Sequence, residues 1–145
     1  MSLMKWLLIR LVLAGLAFAQ GISSGDNWTS DRPITPLMLA GMALYGVLVI
    51  PLVAAVQRLN PRAKPVWHFP SWRRNPLTLR DPLQFFLMVG TLFTAAGAGV
   101  IVADQRVHIM LRPAQLVMPA FGLGILGGVY LAAWIFRSKL APETP

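Results

Sequence analysis

The chain has 145 residues, 56% of them hydrophobic and only 12% charged, against about 25% charged in a soluble domain, so it has too little polar surface for a water-soluble particle. Its formal net charge of +8 is carried between long apolar runs, which makes anionic lipid headgroups the expected counter-charge and argues against nucleic acid as a partner. The absence of cysteine excludes disulfides, thiolate metal sites, iron–sulfur clusters and thiol catalysis.

A helix needs about 20 apolar residues to cross the hydrocarbon. The apolar runs are continuous and lack the alternation of an outer-membrane barrel, so helices are expected. The first run, 6–22, is short and contains Arg10. It has a rival reading as a secretory signal peptide: Lys5 and Arg10 form a basic start, residues 11–18 an apolar core, and Ala17-Phe18-Ala19 a small-residue cleavage signal. We read it as a retained signal anchor. Arg10 lies four residues beyond Trp6, a depth of roughly 6 Å at 1.5 Å per residue, from which a guanidinium can snorkel to the interface. The segment that follows carries the glycosylation triplet Asn27-Trp28-Thr29; so close to the membrane it carries little weight.

The second span is 36–56. Thr35-Pro36 places a capping residue before a proline at the first helical position, where a missing N–H costs nothing. Pro51, inside this span, releases the carbonyl of Val47, and a bend is expected there. The loop 57–81 then gathers six of the thirteen basic residues, Arg58, Arg62, Lys64, Arg73, Arg74 and Arg80, with the single acid Asp81. It also holds four prolines and the aromatic residues Trp67, Phe69 and Trp72. The prolines forbid a long helix. The residues Arg62, Lys64, Trp67, His68, Phe69, Trp72, Arg73 and Arg74 form the candidate recognition surface. Lipid contact alone would explain them, because each cation near an anionic leaflet is worth about 1 kcal/mol. Aromatic anchors on a proline-braced loop also suit a protein partner.

Asp81-Pro82 repeats the cap-plus-proline start and opens the third span, 82–103. The fourth, 114–136, follows the short segment 104–113, and Pro119 within it is expected to free the carbonyl of Gln115 and bend the helix. Thr91, Ala95, Gly99 and Ala103 recur every four residues in span three, as do Ala120, Gly124, Gly128 and Ala132 in span four. Small residues allow close backbone approach in lipid, where tails give no hydrophobic drive for association. The two stripes are expected to face each other in a tight antiparallel hairpin.

Loop charges set the orientation. With the N-terminus inside, the inner segments hold ten basic residues and the outer ones three, Arg32, Arg106 and Arg112, which the positive-inside rule resolves. The expected architecture is therefore an all-α integral membrane protein, a single membrane domain over 1–145 with four transmembrane helices and both termini cytoplasmic. Richness in Ala, Gly, Leu, Pro and Arg suggests a bacterial inner membrane.

Sites for chemistry are sparse. Apart from Arg10, the spans contain no Asp, Glu, Lys, Arg or His, which argues against a proton relay or an ion-coupled carrier working as a monomer. His68 and His108 fall on opposite sides of the bilayer and cannot share one haem or metal within a chain; each alone is read as an ordinary surface histidine. Asp104 and His108 are four apart, a weak pairing signal. The glycines at 122, 124, 127 and 128 lie within a span with no preceding strand, so they are not a nucleotide fingerprint. No catalytic residue, cofactor or metal is assigned. Three functions are weighed. The first is a non-catalytic accessory, assembly or protective partner of another membrane protein. The second is a small transporter or channel completed by self-association, and the third a membrane redox or enzyme subunit. The first is expected.

Overall fold

The computed structural model describes residues 3–28, 34–59, 66–77, 81–106 and 113–141. Four α-helices make up these segments: α1 (Leu3–Trp28), α2 (Pro36–Leu59), α3 (Pro82–Gln105) and α4 (Val117–Ile135). Among the described residues there is no strand. Leu3–Ser24, Pro82–Gln105 and Ala114–Ile135 are 22, 24 and 22 residues long and apolar, enough to cross a bilayer of about 30 Å at 1.5 Å per residue. The described apolar part of α2, Pro36–Leu52, is shorter.

The helix starts follow local chemistry. Thr35 Oγ1 accepts from the Met38 amide at 3.3 Å, and Asp81 Oδ1 accepts from the Gln84 amide at 3.3 Å, each with proline next in sequence. Pro51 lies inside α2, which continues through it. Pro119 behaves differently from expectation. The chain enters as a 3-10 turn, Pro113–Leu116, and α4 begins only at Val117. Pro119 is thus the third residue of α4, in the first turn, where backbone donors have no intrahelical partner anyway. The expected mid-helix bend is replaced by a change of helix type at the entry.

The helices form one layer in the order α1, α3, α4, α2. α1 packs on α3, α3 on α4 and α4 on α2, while α1 and α2 sit at opposite edges. The contacts between Gly124 and Ala43 and between Gly128 and Val47 show α2 and α4 running parallel. Those between Gly97 and Pro119, Gly122 and Thr94, and Gly90 and Leu126 show α3 and α4 running antiparallel. A buried cluster of Ile50, Leu83, Leu87, Ile125, Val129, Ala132 and Ala133 occupies one end of the layer, closed by Trp67, Phe136 and Leu140. Nearer mid-layer, Phe121 meets Phe93 edge-on at 5.1 Å and Tyr45 stacked at 5.8 Å. These rings tie α3, α4 and α2 through an aromatic chain of favourable geometry.

The small-residue stripes do not face each other. A methyl group on Gly99 would overlap the carbonyl oxygen of Phe18 in α1, and one on Gly21 would overlap that of Ala96 in α3. A methyl on Gly124 would overlap the carbonyl of Ala43 in α2, and one on Gly128 would stand 2.9 Å from Val47 Cα. The most prominent glycines of the central helices therefore receive the edge helices. The α3–α4 contact uses a different set: Gly97 against Pro119, Gly122 against Thr94 and Gly90 against Leu126. The physical reason is that a central helix has two neighbours and needs two close-approach faces, whereas only one was expected for each. Of the other stripe residues, Thr91 returns its hydroxyl to the Leu87 carbonyl at 2.7 Å. Ala95, Ala103 and Ala120 are half-buried, and Ala132 lies in the core cluster.

Gln115, in the 3-10 turn, is buried, and among the described residues neither its oxygen nor its nitrogen has a hydrogen-bond partner. Burying an unpaired amide costs about 1–3 kcal/mol. Gln115→Met is therefore expected to leave the protein as stable as the parent or more so. The midpoint of thermal unfolding in detergent checks this, and a clear drop would show that the amide is engaged.

Candidate functional site

The basic loop is folded into the end of the layer. Its local shape comes from side chains that mimic backbone turns. Ser71 Oγ accepts from the Arg73 amide at 3.2 Å, and Asn75 Oδ1 from the Leu77 amide at 2.9 Å. The Arg74 amide donates to the Ser71 carbonyl at 3.3 Å, closing a turn between the buried prolines Pro70 and Pro76. Three elements hold this turn. Gln84 Oε1 of α3 accepts from the Ser71 amide at 3.3 Å. The segment after α4 pairs with the loop through the Ala141 amide and the Trp67 carbonyl at 2.7 Å. From α1, Arg10 Nη2 donates to the carbonyls of Ser71 at 3.3 Å and Arg74 at 3.0 Å.

Arg10 is only 3% exposed, and its guanidinium lies 4.8 Å from the centre of the Trp72 ring. It does not snorkel to water as expected. The loop comes to it, supplying two carbonyls and an aromatic face in place of solvent. A cation over indole in a desolvated setting is worth about 2 kcal/mol or more, and each charge-assisted hydrogen bond about 1.5–3 kcal/mol. Together these offset a burial cost of several kcal/mol for the ion. Among the described residues, Nε and Nη1 of Arg10 are buried without a hydrogen-bond partner.

Beside this staple, His68 Nδ1 lies 3.1 Å from Asp81 Oδ2, while Asp81 Oδ1 caps α3. His68 is thus paired and partly covered, not an isolated surface histidine. Among the described residues no third His, Asp or Glu joins it in a metal-ligand group. Trp67, expected as a surface anchor, packs on the core cluster. Phe69 meets Tyr130 of α4 at 6.4 Å with a 59° tilt. Trp72 is half open beneath Arg10; Arg73 is exposed and Arg74 half-buried. Arg62 and Lys64 lie outside the described residues, as does His108. A pocket of about 400 Å³ opens at this end, lined by Trp6, Val66, His68, Arg73, Arg74, Asn75 and Asp81.

The loop residues expected to share one surface are therefore divided. Trp67 serves the fold, Trp72 serves Arg10, and His68, Arg73 and Arg74 line the pocket, His68 paired with Asp81. Asn75 falls within the loop stretch read from sequence, whereas Arg10, Asp81, Gln84 and Trp6 join the site only through the fold. The lone charge within the spans was the available signal, because a buried cation requires acceptors.

The geometry defines a class, a layered all-helical protein built of membrane-compatible apolar helices with a structured basic cap. Beyond that class no comparison contributes a relationship, since no protein-family model, no curated protein and no solved structure matches the chain.

Proposed function

We propose that the protein is a non-catalytic, four-span membrane protein of the bacterial inner membrane, with the loop and both termini cytoplasmic, that acts as an accessory, assembly or protective partner of another membrane protein. The observation that carries this reading is the open layer. The edge helices α1 and α2 each pack mainly on one neighbour and turn rows of large apolar side chains outward, among them Leu8 and Leu11 on α1 and Leu44 and Leu48 on α2. Two such edges suit lateral association, because helix contacts in lipid are made by packing and not by exclusion of water. In the cap, the side chains of Arg10 and Gln84 are meanwhile engaged with the loop backbone. Passage of α1 unbroken through Ala17-Phe18-Ala19, with Phe18 against Gly99, supports its retention as a structural helix.

Photo-crosslinking residues placed at Leu11 and Leu48 in native membranes test the proposal. One and the same unlike membrane protein is expected to be captured at stoichiometric yield from at least one edge. Capture of only a second copy of the chain would favour a self-assembled channel or carrier, and repeated failure to capture anything would overturn both readings. Orientation has its own test, made simple by the cysteine-free sequence. Asn75→Cys is expected to resist an impermeant thiol reagent in intact cells and to react once the membrane is opened. Labelling in intact cells would reverse the topology.

A further inference from the structure

We propose that the pocket at the capped end binds the phosphate of an anionic phospholipid headgroup. The inference rests on the membrane placement of the helices and is independent of any protein partner. Trp6 sits near the start of α1 and Asp81 at the start of α3, so the pocket lies at the level where spans emerge from hydrocarbon and headgroups begin. Its rim carries the cations of Arg73 and Arg74, and Asn75 and His68 add polar groups within the same space. Trp6 supplies an amphipathic ring of the kind favoured at this depth.

The charge balance favours an anion. Asp81 is the acid in the lining, and both its oxygens are engaged, one with the Gln84 amide and one with His68. Arg10 donates to the Arg74 carbonyl, and among the described residues two of its nitrogens are buried and unpartnered. Two arginines thus line the pocket where one already committed carboxylate is present, and a third is bonded to the backbone of one of them. Among the described residues the one close acid–base pair is His68 with Asp81, and none of these three arginines has a carboxylate in contact. A phosphodiester supplies the missing charge and accepts hydrogen bonds in the geometry guanidinium groups prefer. A volume of about 400 Å³ admits a headgroup and lies within the range of small-ligand sites. A zwitterionic headgroup neutralises its own phosphate with an ammonium, so a net anionic lipid is the better occupant.

The full chain, purified into nanodiscs of mixed phosphatidylglycerol and phosphatidylcholine, tests this by native mass spectrometry of the lipids retained on release. Retention of phosphatidylglycerol is expected, about tenfold in excess over its share of the bilayer, which is a difference a single well-formed ion site supplies. Arg73→Gln combined with Arg74→Gln is expected to abolish that excess. Arg73→Gln alone, at an exposed side chain that supports no packing, is expected to reduce it severalfold. Arg137→Gln with Lys139→Gln, two exposed cations in the 3-10 turn after α4, is expected to leave it unchanged. Equal loss from both paired variants would mean diffuse attraction and would overturn the pocket. So would undiminished retention in Arg73→Gln and the Arg73/Arg74 pair, or displacement of the lipid by excess inorganic phosphate, which would identify a free-anion site instead.

Discussion

Gly99→Ala is expected to push α1 off α3, because the added methyl meets the backbone of Phe18 and not a side chain that could swing aside. Relief requires the two helices to separate along their contact. Overpacking of this sort costs about 1–3 kcal/mol and sometimes more. Gly124→Ala is expected to do the same to α2 and α4, against the carbonyl of Ala43. Gly15→Ala, Gly41→Ala and Gly127→Ala provide the contrast. Nothing lies within 4 Å of a methyl at any of the three, so they should be neutral or gain up to about 1 kcal/mol from helix propensity. Unfolding in graded denaturing detergent reads these differences. The double variant at Gly99 and Gly124 is the sharper measurement. The two glycines serve different interfaces, so their effects should add to within about 0.5 kcal/mol. Strong non-additivity would mean that they share one interface after all.

Arg10→Met is expected to release the loop while leaving the helices formed. The carbonyls of Ser71 and Arg74 lose their side-chain donor, and the Trp72 ring loses the cation above it. Removing the ion also removes its own desolvation cost, so global stability changes less than the local effect. We therefore expect the signal in hydrogen exchange. Amides of residues 66–77 should exchange at least about tenfold faster, equivalent to about 1.4 kcal/mol of local opening, with α3 and α4 little affected. Arg10→Lys should rescue poorly, because an ammonium lacks the planar fork that reaches two carbonyls and lies flat on indole. Unchanged exchange in Arg10→Met would show that the loop stands without its staple.

Sequence patterns revealed the helices because span length, caps and prolines are local signals. Thr35-Pro36 and Asp81-Pro82 mark their helix starts within the residues concerned. The order of the helices in the layer was not legible in the same way. Gly99 and Gly124 announce that something approaches closely, but a glycine has no side chain with which to name its neighbour. The short link between α3 and α4 suggested that they pair, and they do, through Gly90, Gly97 and Gly122, which fall off the four-residue stripe. The site was read in part. The loop stood out through charge, yet charge alone could not separate Trp67, drawn into the core, from Arg73, left at the rim. Arg10 was visible as an anomaly, and its solution lay some sixty residues away at Ser71 and Arg74, beyond any local pattern.

The layer order has a consequence for how the protein is made. Translation delivers α1 and α2 first, but their neighbours in the finished molecule are α3 and α4. Neither early helix meets its main native neighbour until the second half of the chain emerges. At roughly 5–20 residues per second, the interval between Arg10 and its acceptors at Ser71 and Arg74 amounts to several seconds. During that wait Arg10 must be satisfied by water or headgroups at the bilayer surface. A first helix that lingers at the interface keeps its arginine hydrated until the loop arrives to receive it.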